Sequence, residues 1–240
     1  DRLLALAKTV NFINLPPHRD KLTERIERSQ ASFSATETMA APPADDVRSD
    51  RQYIFVLEEA ATGACVGTSS IQAGMGSPEH PNLSFQLVKA VRQSKVISGS
   101  TATDGFDLVA GRVEHIFARL FRDGSSPTEM GGLLLPMEHR GGGLGKLLSW
   151  VRFHYIKRHR AWFADRLLAE MMADLETYND GNPFWRHVIR KFINIPYEVA
   201  DRLSTREREF MYALLPNQVN LSLLPDSVLR SLGRVNVQTE

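Results

Sequence analysis

The chain has 240 residues, of which 42% are hydrophobic and 24% are charged, a composition typical of a globular protein with a sizeable core. Its formal charge of +1 excludes a global field that would attract nucleic acid or an anionic membrane, so we expect neither as a partner. The single cysteine, Cys65, excludes an internal disulfide framework and suits a reducing compartment. No apolar run approaches the roughly 18 residues of a membrane span, and we expect a soluble, cytoplasmic protein.

The first hundred residues predict helices followed by strands. Leucine and alanine at 1–8, and apolar residues spaced between charges at 20–33, predict two helices. The polar, proline-containing segment 34–50 predicts a flexible loop, and the small polar segment 95–104 a second one. β-rich runs predict strands at 53–57, 65–71 and 82–91, the first two joined by a glycine-containing turn.

The remainder of the chain alternates between strand and helix patterns. A short apolar run at 131–135 is followed by a glycine cluster and a long helical pattern at 146–163. A strand at 166–172, a helix beginning near Pro183, a strand at 209–215 and a helix at 225–232 are predicted next. This order favours an α/β or α+β layered protein, and we expect one domain over 1–240.

The glycine cluster carries the clearest chemical signal. It follows the apolar run and contains Arg140-x-x-Gly143-x-Gly145, with further glycines at Gly141 and Gly142. Glycines permit backbone geometries that a Cβ would block, and free N–H groups at a helix N-terminus attract anions. The pattern therefore predicts a pyrophosphate cradle, to which Arg140 and Lys146 would add charge-assisted hydrogen bonds.

Other phosphate-binding loops fit this cluster less well. A P-loop requires Ser or Thr after its lysine, whereas Leu147 follows Lys146. A Rossmann fingerprint requires an acidic residue after a second strand, whereas Asp165 follows the long helical pattern. Arg-x-x-Gly-x-Gly after a strand resembles instead the acyl-CoA pyrophosphate motif of the GNAT superfamily. A glycine run that merely turns the chain from strand to helix is the alternative.

Further segments extend the resemblance along nearly the whole chain, except about residues 81–128. They include Leu22-x-x-Arg25-Ile, Thr62-Gly63-x-x-x-Gly67, Ser149-x-x-Arg152-Phe, Ala169-Glu-Met171, Pro183-Phe-Trp185 and Leu223-Leu-Pro225. In this order they resemble the arginine N-succinyltransferase family of arginine degradation. The resemblance implies a GNAT-like fold, with a central mixed twisted sheet flanked by helices. It implies succinyl-CoA as cosubstrate, arginine as acceptor through its α-amine, and a homo- or hetero-oligomer. Members of this family continue past the position that matches residue 240, and we expect this chain to correspond to their N-terminal part.

The resemblance also assigns site residues. Leu133 falls where the family contacts succinyl-CoA, with Leu134 and Leu135 beside it on the strand. Arg140, Gly141, Gly142, Gly143, Gly145 and Lys146 fall on the pyrophosphate loop. Glu129 matches a glutamate that precedes the strand, and we expect a general base there, with a solvated strand-end carboxylate as the alternative.

The family's proton-donating histidine lies in a Gly-x-Val-His stretch, which in this chain is Gly233-Arg-Val-Asn236. Asparagine does not exchange protons near neutral pH, although it hydrogen-bonds substrates, so we expect a weakened acid at Asn236. One cysteine and scattered histidines predict no metal site. A different acyl donor or amine acceptor, or an impaired relative that only binds CoA, is the alternative function.

Overall fold

The computed structural model describes residues 1–9, 18–93, 112–171, 181–204 and 209–234. The chain divides into two compact units, the first made of Asp1–Asn82 with Asp123–Glu170 and the second of Leu83–Arg122 with Met171–Glu240. One acyltransferase domain over 1–240 stays a prediction. The predicted loop 95–104 lies outside the described residues.

The strands of the described residues form two sheets. They are β1 (Gln52–Glu58), β2 (Cys65–Gln72), β3 (Asn82–Gln93), β4 (Arg112–Asp123), β5 (Thr128–Leu134), β6 (Leu167–Leu168) and β7 (Gln218–Asn220). The first sheet has the order β1-β2-β5-β6, with antiparallel pairing up to β5 and parallel pairing between β5 and β6. The second has the order β3-β4-β7. The predicted mixed sheet is therefore found in the first unit.

Helices follow or separate these strands. They are α1 (Arg2–Thr9), α2 (Arg19–Thr38), α3 (Leu144–Arg158), α4 (Pro183–His187), α5 (Tyr197–Ser204), α6 (Glu209–Leu214) and α7 (Asp226–Ser231). The predicted helices at 1–8, 20–33, 146–163 and 225–232 and near Pro183 are confirmed, with shifted ends. Among the described residues, none of these helices combines the length and the apolar character that crossing a membrane requires.

Three predicted boundaries or element types are wrong. Residues 34–38, predicted as the start of a loop, continue α2, because the Thr36 hydroxyl bonds the Ser32 carbonyl and Tyr53 in a buried position. The predicted strand 209–215 is helix α6, whose Phe210 and Met211 pack against the second unit's core. The predicted strand 166–172 shortens to β6.

Each unit has its own apolar core. In the first unit, Tyr53, Ile71, Trp162 and Phe163 are buried together, and Phe33 and Tyr155 pack against them through edge-on ring contacts. In the second unit the buried cluster consists of Ala118, Leu120, Val188, Ile189, Ile193, Leu215 and Leu221. The glycine cluster and its flanking strand belong to the first unit, whose core therefore fixes α3 against the sheet.

Candidate functional site

Strand β5 departs from its neighbour β2 through a bulge. Gly131 lies opposite Ser70 and Leu134 lies opposite Thr68, so three steps along β5 match two along β2. The extra residue bends the strand away from the ladder. Gly132, within the bulge, has φ +57°, and a Cβ there would lie 2.6 Å from Ser70 Oγ. Both its conformation and its surroundings therefore require glycine.

The opposite edge of β5 is open near the bulge. In the described part of the chain β6 pairs with β5 only at Thr128 and Glu129. The stretch from Met130 to Leu134 therefore has no strand neighbour on that side among the described residues. Backbone N–H and C=O groups on such an edge are available to hydrogen-bond a ligand.

Two side chains hold the bulge from different elements. The Thr68 hydroxyl on β2 donates to the Gly132 carbonyl oxygen at 3.0 Å. The Arg152 guanidinium on α3 donates to the Gly131 carbonyl oxygen at 3.2 Å. Consecutive carbonyl groups of β5 are thereby bonded by side chains at the point where the regular ladder is interrupted.

Arg152 is an unusual residue in this position. Its side chain is 4% exposed, and burial lowers the pKa of its guanidinium. It also bonds the carbonyl and the hydroxyl oxygen of Ser149, at 3.4 Å and 3.2 Å. No role was predicted for Arg152 from the sequence. The signal for one was a cation at a position between Leu148 and Ile156 on the buried face of α3.

Beyond β5, a short 3-10 turn at Met137–His139 leads into the glycine cluster. Gly141, Gly142 and Gly143 have φ values of +108°, +57° and +84°, all in a region that disfavours other residues. A Cβ on any of the three would meet no atom within 4 Å. The three consecutive positive φ values thus coincide with open space, and no packing constraint within the described structure explains them.

The backbone of this loop presents free donors at the start of α3. In the described part of the chain, no hydrogen-bond acceptor is found for the backbone N–H groups of Gly142, Gly143, Gly145 and Lys146. Gly143 is the N-cap and supplies no side-chain cap. An anion placed there would receive hydrogen bonds and the favourable end of the helix dipole.

The predicted loop cations lie close to these donors. Arg140 and Lys146 are exposed, and the Arg140 Nε–H donates to the Leu135 carbonyl oxygen at 3.1 Å. That bond ties the loop to the residue that directly follows β5. The end of β5, the loop and the first turn of α3 are therefore adjacent, and their role in binding an acyl-CoA stays a prediction.

The three predicted leucines differ in their surroundings. Leu133 is 43% exposed, whereas Leu134 packs against the cluster formed by α1 and α2. Leu135 lies just past the strand, and its side chain would be 3.1 Å from a Cβ on Gly67. Of the three side chains, that of Leu133 is the one best exposed to a ligand.

Glu129 lies inside β5 rather than ahead of it, because the strand begins at Thr128. Its carboxylate approaches Gly131, where a Cβ would be 3.3 Å from Oε1. Burial and Arg28 lower the pKa of Arg25, and the negative charges of Glu129 and Glu24 act against that shift. Glu129 thus lies within the electrostatic range of a largely buried cation, and a role as base stays a prediction.

Asn236, the position predicted to carry the weakened acid, lies outside the described residues. Within the described ranges no group of three or more His, Cys, Asp or Glu side chains is arranged to hold a metal. The second unit has a cavity of about 380 Å³ lined by Arg186, Arg190, Lys191 and Asn194, which the sequence analysis did not identify.

Known proteins resemble this chain in fold and in sequence. A solved structure, arginine/ornithine succinyltransferase subunit AI from Pseudomonas aeruginosa, shares the fold with a TM-score of 0.72 at 24% identity, over 99% of this chain and 63% of that chain. Arginine N-succinyltransferase subunit beta of the same organism is 29% identical over 99% of this chain and 63% of its own length. Arginine N-succinyltransferase of Photorhabdus laumondii is 25% identical over 96% of this chain and 61% of its own length.

The chain thus spans a little under two thirds of the length of these relatives. A family model described as arginine N-succinyltransferase beta subunit matches residues 1–240. The match extends over both units and includes the bulged strand and the glycine loop. The chain therefore belongs to the arginine N-succinyltransferase beta subunit family.

Proposed function

We propose that this chain transfers the succinyl group of succinyl-CoA to the α-amine of arginine. The family membership supports the reaction, and one structural observation supports the cosubstrate. Three consecutive glycines with positive φ precede α3 and are surrounded by open space, and no acceptor is found among the described residues for several N–H groups of this loop and the first turn of α3. This is the geometry that a pyrophosphate requires.

In this proposal the loop and the bulge bind different parts of succinyl-CoA. The N–H groups of Gly142, Gly143, Gly145 and Lys146 receive the pyrophosphate oxygens, and the charges of Arg140 and Lys146 add to the attraction. The open edge of β5 near Leu133 bonds the pantetheine arm in the manner of an added strand. A backbone N–H of the bulge then donates to the thioester oxygen as negative charge develops on it.

The chemical step follows from that placement. The arginine α-amine, as the free base, attacks the thioester carbonyl carbon and forms the amide bond, while the carbon–sulfur bond breaks. The attacking nitrogen loses a proton to a base, for which Glu129 on β5 is our candidate. The CoA thiolate gains a proton. Positioning of the two reactants supplies most of the acceleration, on the order of 7–11 kcal/mol in ideal cases.

Asn236 is at the position that would protonate the CoA thiolate. Its amide does not supply a proton near neutral pH, so we propose that the thiolate is protonated from water and that the step is slow. General acid catalysis contributes about 10²–10⁴-fold in rate. Asn236→His should therefore raise the rate of thiol release, and an unchanged rate would contradict this role.

The relatives also bear on assembly. Those of Pseudomonas aeruginosa are named subunit beta and subunit alpha, and both align with this chain over 99% of its length. We propose that this chain likewise assembles with a second copy or a related subunit, in the cytoplasm where both substrates would be encountered. Sedimentation of the protein alone and mixed with such a subunit tests this proposal.

Free-thiol release is the experiment that tests the reaction. Succinyl-CoA and acetyl-CoA are each incubated with the protein, with and without arginine, and the liberated CoA thiol is followed over time. Arginine-dependent release from succinyl-CoA, and not from acetyl-CoA, is the expected result. Release with neither donor, despite measurable CoA binding, would contradict the proposal and leave a CoA-binding relative.

A further inference from the structure

Arg152 is a buried cation without a carboxylate partner in the described structure. Its acceptors among the described residues are the Gly131 carbonyl, the Ser149 carbonyl and the Ser149 hydroxyl, all neutral. Burial of an unpaired charge is costly, and buried arginines are normally paired. The lowered pKa of the guanidinium has burial as its cause and no compensating charge.

The Gly131 carbonyl that Arg152 bonds lies at the start of the β5 bulge. On the β2 side the regular pairing stops at Gly131 and resumes at Leu134. The carbonyl groups of Gly131 and Gly132 are the ones bonded by Arg152 and Thr68. The Arg152 bond is the longer of the two, 3.2 Å against 3.0 Å, and the charge of its donor strengthens it. Both side chains thus bond carbonyl groups at the point where the bulge bends.

We propose that Arg152 is a positioning residue, which together with Thr68 fixes the β5 bulge and so orients the backbone at Leu133 toward the acyl-CoA thioester. The orientation toward the thioester rests on the proposed function, whereas the hydrogen bonds that hold the bulge are present in the free protein. Arg152 acts through the Gly131 carbonyl and not by contact with the substrate. The positive charge of Arg152 strengthens its hydrogen bond to the Gly131 carbonyl of the bulged strand.

The first test follows amide exchange in the free protein. Arg152→Met keeps an unbranched side chain of similar length and removes every donor. We expect those amide hydrogens of residues 131–134 that pair with β2 to exchange at least tenfold faster, with smaller changes in β1. Exchange of 131–134 at the native rate would overturn the proposal, whether or not the protein binds CoA.

A matched control separates positioning from general stability. Thr36→Val removes a buried hydroxyl that bonds Ser32 and Tyr53 in the same unit, away from the bulge contacts. Both variants should lower the thermal midpoint, whereas only Arg152→Met should speed exchange at 131–134. Equal acceleration of those amides in the two variants would overturn a specific role for Arg152.

Kinetics provide the second test, provided that the native protein shows thiol release. Arg152→Met should lower kcat at least tenfold with a smaller change in KM for succinyl-CoA, because the pyrophosphate loop is intact. Arg152→Lys keeps one charged donor and should recover part of kcat. Equal losses in the Met and Lys variants, or an effect on KM alone, would overturn the proposal. If the native protein neither binds CoA nor releases thiol, the proposed function fails while the exchange experiment still decides the tethering.

Discussion

Gly132 lies against Ser70, so closely that a Cβ on Gly132 would come within 2.6 Å of Ser70 Oγ and 3.2 Å of its Cβ. The residue also has φ +57°. The bulge in β5 therefore depends on two independent properties of one glycine. A substitution at Gly132 affects both properties, whereas a substitution at Ser70 affects only the contact.

Gly132→Ala should destabilise the first unit through both properties. The positive φ costs about 1–2 kcal/mol for an L-residue, and the crowded contact with Ser70 adds about 1–3 kcal/mol. Urea unfolding measures the loss. Combining Gly132→Ala with Ser70→Ala should remove the clash with Oγ and leave the 3.2 Å contact with the residue-70 Cβ and the backbone part. A double variant no more stable than Gly132→Ala alone would contradict the crowded contact.

Gly142→Ala tests the loop with little disturbance of the fold. A Cβ there meets no atom within 4 Å, so the cost in stability should be limited to about 1–2 kcal/mol for φ +57°. Affinity for CoA should fall more than tenfold, about 1.4 kcal/mol, because the loop relaxes away from the geometry that directs its N–H groups. Isothermal titration measures that affinity.

Gly63→Ala is the control for this loop variant. Gly63 also has a positive φ, +66°, but it lies in the turn between β1 and β2, where a Cβ would meet the far end of the exposed Arg2 side chain at 2.9 Å. It should lose comparable stability and keep native CoA affinity. An equal loss of affinity in the two variants would attribute the effect to stability and not to the cradle.

Arg140→Gln should weaken CoA binding in a salt-dependent way. Arg140 is exposed, so its charge contributes about 0.5–1 kcal/mol, or roughly two- to fivefold in affinity, at low ionic strength. The difference from the native protein should shrink at 1 M salt, where the screening length is about 3 Å. Arg158→Gln removes the same charge from the last residue of α3, about 21 Å along the helix axis from its first residue. This substitution should leave affinity unchanged. Equal effects of the two substitutions would indicate a non-specific charge effect.

Two tyrosines of the first unit, buried Tyr53 and partly buried Tyr155, predict how stability responds to alkali. Burial raises the pKa of Tyr155 to about 12, and burial also raises that of Tyr53. Between about pH 10 and 12 the unfolded chain therefore loses phenolic protons that the folded chain keeps. Stability should fall across that interval as pH rises.

Tyr155→Phe should flatten this decline. The Tyr155 hydroxyl lies close enough to Thr36 to influence its own pKa but makes no well-aligned hydrogen bond to the described residues, so the substitution should cost little at pH 8. Urea unfolding at pH 8 and pH 11 should show a smaller difference for Tyr155→Phe than for the native protein. The same difference in both proteins would assign the alkaline loss to other groups.

Local signals made several elements predictable. Pro183 indicated the start of α4, and in the structure the Asn182 side chain accepts a hydrogen bond from the Trp185 N–H at 2.8 Å. The glycine cluster likewise indicated its own backbone geometry. In both cases a few adjacent residues decide the conformation, so no tertiary information was needed.

Tertiary contacts decided the rest. Helix α6 has an apolar pattern that suits a strand equally well, and packing of Phe210 and Met211 selects the helix. Strand β7 has three residues and exists through its pairing with β4, with Ala118 opposite Val219. The bulge at Gly132 depends on register with β2, which a single strand's sequence does not specify.

Amide exchange with and without CoA tests whether the glycine loop binds the pyrophosphate. We expect CoA to slow exchange of residues 141–146 and of 132–134, because N–H groups of the loop and of the open edge of β5 become hydrogen-bonded. Protection should be absent from α7 and Gly63. Binding of CoA without slower exchange at 141–146 would contradict the assignment of the glycine loop as the pyrophosphate site.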